Sequence, residues 1–467
     1  MLTAARRLLL AASLSLSVCT AAAAADDLAA RLTAALAHPG LRGAKVGALV
    51  VRADDGRVLF DRDGDQLLVP ASNLKILTAL AALATFGPTH RFTTRVYADS
   101  LPTADGTVGT LAVRGGGDPA LTSEEWWRLA GDLRRAGLRR VRDGLLLDDA
   151  YFDRERWNSA WDAVSARAFH APVGALNANY GAFEVDVQAR TGAAPRITID
   201  PPLPVFEVVD RTHAGGGPLS VDRESAGNRE RIIIGGAPPP SRNVVTAFRR
   251  SVADPLGYAA GVLRMQLAAQ GITVGGEDRA APVPAGDVEL LSYSGKPLAD
   301  ILRLMMKFSN NNIAETLLKD LGAAHDGPPG TWTNGVAAIR ERLTALGVPT
   351  GGFRTVDGSG LSPANRVTPR ALVAALRIAR ASFAFGPEFE SALPIAARDG
   401  TLSERAPAAS DAVRAKTGLL SGAAALSGYA RARDGTVLVF SLLVNDYTRG
   451  DPDALAGIDG FAAALTQ

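Results

Sequence analysis

The stretch that decides the fold is Pro70-Ala71-Ser72-Asn73-Leu74-Lys75-Ile76-Leu77-Thr78-Ala79-Leu80. Leu74, Ile76, Leu77, Leu80, Leu83 and Ala84 make a largely apolar run, which reads as a helix buried in a core. Ser72 then stands at or next to the N-terminus of that helix. Residues three apart on a helix share a face, so the amine of Lys75 reaches the hydroxyl of Ser72. Partial desolvation and the positive end of the helix dipole both favour the neutral amine. A neutral amine takes a proton from a serine hydroxyl, and a guanidinium does not. Taken alone, however, Ser72 reads more readily as a helix N-cap, a role serine favours.

Two further motifs change that balance. Ser309-Asn310-Asn311 breaks a helical pattern, with Ile301, Leu302, Leu304 and Met305 before it and Ile313, Leu317 and Leu318 after it. Side chains at such a break project into a cleft, where they relay a proton or hold an amide. Lys416-Thr417-Gly418 precedes a hairpin made by residues 424–432, the turn Arg433-Asp434-Gly435 and residues 437–444. Lys416 offers positive charge to a substrate carboxylate. The backbone N–H of Ser72 is one donor for an oxyanion, and the stretch after Gly418 is the candidate for a second. Each motif has an ordinary reading as a polar turn or a surface charge. In the order Ser-x-x-Lys, Ser-x-Asn, Lys-Thr-Gly they form the set found in penicillin-binding proteins and serine β-lactamases. Lysine usage points the same way. The chain has six lysines (Lys45, Lys75, Lys296, Lys307, Lys319, Lys416) among 50 Lys and Arg residues, so a lysine asks what arginine could not supply.

Working outward, residues 28–37 read as a helix, 46–51 and 58–60 as strands joined by the turn Asp54-Asp55-Gly56, and the end from Asp453 as a helix. From about 90 to 288 the character changes. Short β-type runs (110–114, 144–147, 182–187, 196–199, 231–234) alternate with Gly and Pro clusters, and Gly115-Gly116-Gly117 reads as a turn. The pattern predicts one α/β (α+β) domain from residues 26–90 and 290–467. It is interrupted by a β-rich inserted domain, 91–289, with a further subdomain at roughly 184–245. Ahead of these, Arg6 and Arg7, the apolar run 8–18 and Ala23-Ala24-Ala25 describe a signal peptide, 1–25, too short to span a bilayer. Cys19, the one cysteine, follows Val18 where a lipoprotein cleavage site would want a small residue. Loss of residues 1–25 would leave 48 basic and 48 acidic residues, which gives no electrostatic case for nucleic acid. No later segment reads as a transmembrane anchor. The five histidines have no metal-ligand spacing, no Gly-x-Ser-x-Gly elbow occurs, and no phosphate-loop signature follows the glycine run, so no metal or cofactor is expected.

The chain resembles the D-alanyl-D-alanine carboxypeptidase/endopeptidase family, the low-molecular-mass type C penicillin-binding proteins. The spacing is discriminating: Ser72 and Ser309 stand half a chain apart, whereas class A β-lactamases separate these motifs by several tens of residues. Gly115-Gly116-Gly117-Asp118-Pro119, Leu145-Leu146-Leu147-Asp148 and Asp357-Gly358-Ser359-Gly360-Leu361-Ser362 add to the likeness. The resemblance implies a transpeptidase/β-lactamase-like domain with an antiparallel sheet flanked by helices, carrying an inserted domain and subdomain. It implies a periplasmic enzyme that hydrolyses D-Ala–D-Ala termini and D-alanyl cross-links of peptidoglycan stem peptides, with β-lactam antibiotics as covalent inhibitors. By motif, Ser72 is the nucleophile and Lys75 the base, Ser309 and Asn311 form the second motif, and Lys416, Thr417 and Gly418 serve the substrate carboxylate. Ser72 and Leu419 give the oxyanion N–H groups, and Asp148 contacts a diaminopimelate amine. Pro363 stands where relatives can have an arginine for the diaminopimelate carboxylate, and Ser421 where they can have Gln; Arg366 is the nearby substitute. The alternatives are a β-lactamase or esterase, or a wall-binding or β-lactam-sensing module that acylates and barely turns over.

Overall fold

The computed structural model describes residues 27–190, 193–213, 217–227, 229–238 and 244–467, so the expected signal peptide and Cys19 lie outside the described residues. The outer segments meet in an antiparallel five-stranded sheet. Its order is Val413–Leu420, Ala423–Arg431, Val437–Asn445, Lys45–Arg52 and Val58–Arg62. The N-terminal strand runs against the last one in full register, Lys45 opposite Asn445 through Arg52 opposite Leu438. Strand side chains alternate between faces, and this sheet buries both. Val46, Val50, Phe440 and Leu442 pack with Leu32, Ile458 and Phe461 on one side. Leu49, Val51, Val439 and Leu443 pack on the other with the serine helix Leu74–Phe86 and the helix Pro369–Ala381. Every residue of the serine helix from Leu74 to Leu83 is buried.

The expected break near Ser309 is sharp. Helix Leu298–Lys307 ends, Ser309 adopts a left-handed φ of 57°, and helix Asn311–Asp326 starts with the Asn310 side chain accepting from Ile313 N.

The chain leaves this unit through strand Arg91–Ala98 and returns beside it through Val288–Pro297, Ala98 opposite Val288 and Arg91 opposite Pro297. Between them, a separate hydrophobic cluster is drawn wholly from Val96 to Tyr293. Its strands include the mixed sheet of Arg279–Ala280, Leu145–Asp148, Leu111–Arg114, Arg91–Ala98 and Val288–Pro297. Two smaller sheets follow, one of Val245–Ser251, Ala182–Arg190 and Ala193–Asp200, the other of Phe206–Thr212, Arg229–Gly236 and Ser220–Ala226. The β-rich expectation overlooks two helices here, Ser123–Arg135 and Pro255–Ala269, which pack on each other. The first carries Trp126, Leu129 and Leu133 on one buried face at helical spacing, diluted by charged neighbours. The glycine run is a second correction. It is not a turn but a mostly buried segment in close contact with its surroundings. A Cβ at Gly116 would overlap Thr93 O, and one at Gly117 would overlap the carboxylate of Asp320.

Candidate active site

Ser72 lies in the single turn Ala71–Asn73 that leads into the serine helix, and Ala71 there has a left-handed φ of 45°. That strain persists because two elements clamp the turn. Gly360 (φ 80°) sits so close that a Cβ would overlap Ala71 O. On the other side, a Cβ on Gly418 would lie 3.0 Å from both Ala71 Cβ and Pro70 O. Gly418 and Leu419 belong to the edge strand Val413–Leu420, so the serine turn abuts the rim of the sheet.

Lys75 is fully buried. Its Nζ lies 3.0 Å from Ser72 Oγ, 2.8 Å from Asn311 Oδ1 and 2.8 Å from Ser359 O. The Asn311 orientation is fixed at its other end, where Nδ2 donates to Phe169 O at 3.0 Å. Burial pulls the amine down to about 7, against the opposing pull of Glu315 and Asp357. A neutral amine has two N–H groups and one lone pair. The carbonyl of Ser359 and the amide oxygen of Asn311 only accept. They take the two N–H groups, and the lone pair is left facing the one partner able to donate, the Ser72 hydroxyl.

Lys416 is buried as completely, with Nζ 3.0 Å from Ser309 Oγ and 2.8 Å from Thr417 O. Burial first, and the neighbouring Lys75 second, push its pKa well below the ordinary lysine value. Among the described residues no carboxylate pairs with it. Thr417 Oγ1 lies 2.7 Å from Thr401 Oγ1. The three motifs thus converge: Ser72, Lys75 and Asn311 in one hydrogen-bonded group, Ser309, Lys416 and Thr417 in the next, with Gly418 and Leu419 alongside.

Several contributors escaped the motif pattern. Glu315, one turn beyond Asn311, is fully buried and accepts from Trp332 Nε1 at 2.8 Å, Gly358 N at 3.1 Å and Ser359 N at 2.8 Å. Thr78 Oγ1 donates to Gly358 O at 2.7 Å. Asp357 accepts from Gly360 N, Ser362 N and Asn365 Nδ2. Together these fix the loop that presents Ser359 O to Lys75. Burial raises both carboxyls, Glu315 to about 7 with the neighbouring Asp357 adding to its rise. The sequence signal for it was Glu315 standing one helical turn after Asn311.

One wall comes from the inserted segment. Trp161 Nε1 donates to Asp357 Oδ2 at 3.2 Å, Asn158 Nδ2 to Val356 O at 2.7 Å, and Ser362 Oγ to Ala160 O at 2.6 Å. Asp148 is not brought to this cluster. Its buried carboxylate is held by Arg114 Nε at 2.8 Å and by the N–H groups of Ala150 and Val283. It lines a different cavity, of about 540 Å³, with Arg91, Arg95 and Arg114. Strand pairing explains this, because Asp148 stands in register with Arg114 on the neighbouring strand. Nor does Arg366 substitute at Pro363. Its Nη1 donates to Pro363 O at 2.6 Å and Asn365 O at 2.8 Å, so the side chain closes its own loop.

A serine on a buried helix start, a desolvated lysine beside it and a second lysine on a sheet edge define an active-site serine enzyme of the penicillin-recognising class. Comparison with known proteins agrees. Residues 28–467 match the D-Ala-D-Ala carboxypeptidase 3 (S13) family, and the chain belongs to that family. It is 36% identical to a D-alanyl-D-alanine carboxypeptidase of an Actinomadura species, over 95% of this chain and 87% of that one. It is 27% identical to the D-alanyl-D-alanine carboxypeptidase DacB of Haemophilus influenzae, over 88% and 87%. The crystal structure of penicillin-binding protein 4 from Haemophilus influenzae superposes with a TM-score of 0.77 at 25% identity, covering 94% of this chain and 98% of that one. The same protein complexed with a β-lactam gives 0.74.

Proposed function

We propose that this protein hydrolyses the terminal D-Ala–D-Ala bond of peptidoglycan stem peptides through an acyl-enzyme on Ser72. The observation that carries the reading is the set of partners around Lys75 Nζ, which leaves Ser72 as its one proton donor. Lys75 removes the Ser72 proton as Oγ attacks the carbonyl of the penultimate D-Ala. The Ser72 and Leu419 N–H groups receive the oxyanion. The terminal carboxylate lies at Lys416 and Thr417 and supplies the counter-charge that buried Lys416 lacks. Ser309 bridges Lys416 to the reacting centre and passes the proton toward the departing amine, and water then frees the acyl group. A β-lactam enters the same cycle and stops at the ester. The pattern of Arg6, Arg7 and the apolar run after them supports export to the periplasm. No helix among the described residues is long and apolar enough to cross a membrane.

The test is incubation with purified muropeptides, products read by mass spectrometry, alongside a β-lactam hydrolysis assay. Loss of one D-Ala from pentapeptide stems, abolished in Ser72→Ala, is expected. Rapid β-lactam turnover without D-Ala release would instead make the protein a β-lactamase.

A further inference from the structure

The segment from Leu393 to Leu402 joins the second motif to the third. On one side it lies along the start of the edge strand Val413–Leu420, with Ala396 N donating to Val413 O at 3.0 Å and Ala415 N donating to Pro394 O at 2.9 Å. On the other side it is held by Lys307, which stands two residues before Ser309. Lys307 is buried, and its Nζ donates to Leu393 O at 2.7 Å and to Asp399 Oδ2 at 2.6 Å. The second oxygen of Asp399 accepts from Ile395 N at 2.8 Å, which closes the loop on itself. Gly400 has a left-handed φ of 57°, and a Cβ there would lie 2.6 Å from Lys307 O. The loop is thus pressed against the residues that lead into Ser309. Its end presents Thr401 to the strand, with Oγ1 2.7 Å from Thr417 Oγ1. Neither hydroxyl has another hydrogen-bond partner among the described residues.

We propose that Thr401 is a positioning residue for the substrate's terminal carboxylate: its hydroxyl donates to Thr417 Oγ1 and so turns the single Thr417 proton out toward the anion. The inference rests on the reading of Lys416 and Thr417 as the seat of that carboxylate. A hydroxyl has one proton to give and two lone pairs with which to accept. At 2.7 Å one of the two hydroxyls donates to the other. A carboxylate only accepts. Thr417 serves it only when its own proton is not spent on Thr401, so Thr401 is the donor whenever the anion is bound. The result is a chain from Thr401 to Thr417 to carboxylate, in which each bond polarises the next. Thr417 and Lys416 are both buried, so the chain forms where water competes little. Without the Thr401 hydroxyl nothing fixes the Thr417 proton, and it turns among several directions of which one meets the substrate. Lys307 fixes the place of Thr401, and through it the helix break of Ser309 and the strand of Thr417 share one brace.

The experiment measures the acylation rate with benzylpenicillin, which carries a free carboxylate, and with its methyl ester, which does not, in wild type, Thr401→Val and Thr401→Ser. Thr401→Val is expected to slow benzylpenicillin by about 5- to 20-fold, part of the roughly 10- to 150-fold that a charge-assisted hydrogen bond supplies. The methyl ester should stay within about twofold of its wild-type rate. Thr401→Ser, which keeps the hydroxyl, should recover the benzylpenicillin rate to within about threefold. On a pentapeptide stem the Thr401→Val defect should lie mainly in KM, because the carboxylate contact is made in ground state and transition state alike. Thr401→Ala removes the same hydroxyl without added bulk and gives the same reading if the valine variant folds poorly. Equal slowing of drug and ester, no slowing of either, or failure of the serine variant to recover would overturn the role of Thr401. If wild type acts on the pentapeptide and only these differences are missing, the Thr401 inference falls and the acyl-enzyme reading stands. If wild type releases no D-Ala, that reading falls and takes the inference with it.

Discussion

Three of the six lysines, Lys75, Lys319 and Lys416, are fully buried. Each Nζ lies within hydrogen-bond distance of two or three oxygen atoms. Lys319 shows that burial and chemistry are separate matters. Its Nζ holds Asp153 at 2.6 Å and Glu155 O at 2.8 Å and lies 3.7 Å from the centre of the Trp332 ring, so it anchors the inserted segment and takes no part in the reaction. Burial of a scarce lysine is therefore not by itself a mark of chemistry; Lys75 and Lys416 differ from Lys319 in bonding to the motif serines Ser72 and Ser309. At Lys416 the account predicts a substrate-specific defect. Lys416→Met should lower kcat/KM on peptides ending in a free carboxylate by about 10- to 150-fold, the worth of a charge-assisted hydrogen bond. Substrates lacking that carboxylate should lose far less, as a matched pair of peptide and peptide-amide would show. Asp148 gives the opposite case. With its carboxylate closed by Arg114, Asp148→Asn should lower the melting temperature yet leave unchanged the ratio of kcat/KM on diaminopimelyl and lysyl peptides. A changed ratio would return Asp148 to the substrate site.

Helix Asn311–Asp326 and the 357–362 loop act as one device, joined by Glu315. Glu315 favours the charged form of Lys75, so its removal as a charge lets the lysine deprotonate at lower pH. Glu315→Gln should move the rising, acidic limb of the acylation rate toward lower pH. It also leaves one of the N–H groups of Trp332, Gly358 and Ser359 poorly matched, a cost of about 1–3 kcal/mol by thermal melt. The limb belongs to the coupled Lys75, Glu315 and Asp357 group as a whole. An unmoved limb would show that Glu315 acts on the loop alone. The three motifs were legible because each is local: a helix start, a helix break, a strand edge. The Glu315–loop contact was not, since it joins residues distant in sequence, and neither was the strand register that draws Asp148 to Arg114. Gly360 was quoted for resemblance and turns out to be steric. Gly360→Ala should cost about 2–3 kcal/mol, because it demands φ near 80° of an L-residue and crowds Ala71 O.

Across the whole molecule, the inserted segment meets the catalytic unit at the start of helix Asn311–Asp326 and again midway along it. Near the cleft the contacts are Phe169 O on Asn311 and Trp161 on Asp357. Further along the same helix, Asp320 faces the glycine run and Asp118. Asp320 is fully buried, and neither of its oxygens finds a donor among the described residues. Burial first and Asp118 second hold its carboxyl well above the ordinary range, and burial pushes Asp118 up to about 7. Such groups stabilise the fold while protonated. Their contribution is complete below the unfolded carboxyl value near 4 and is lost as pH rises through the folded value. Asp320→Asn is therefore expected to raise the melting temperature at pH 8 and to change it little at pH 5, as parallel melts would show. The change of pattern near residues 90 and 288 falls at the paired strands Arg91–Ala98 and Val288–Pro297. The two helices inside the insertion were not legible in the sequence, because one hides its apolar face among charged residues and the other is rich in alanine and glycine.

The central claim is that Lys75, as a neutral amine, takes the Ser72 proton. The most direct measurement is the rate at which one benzylpenicillin mass appears on the protein, followed from pH 5 to pH 9 in wild type and Lys75→Arg. The account predicts a wild-type rate that rises with pH through about 7. It predicts a Lys75→Arg rate lower by about 10²–10⁴-fold throughout, the contribution of a general base. A Lys75→Arg protein that acylates at near wild-type speed, or a wild-type rate flat across that range, would contradict it.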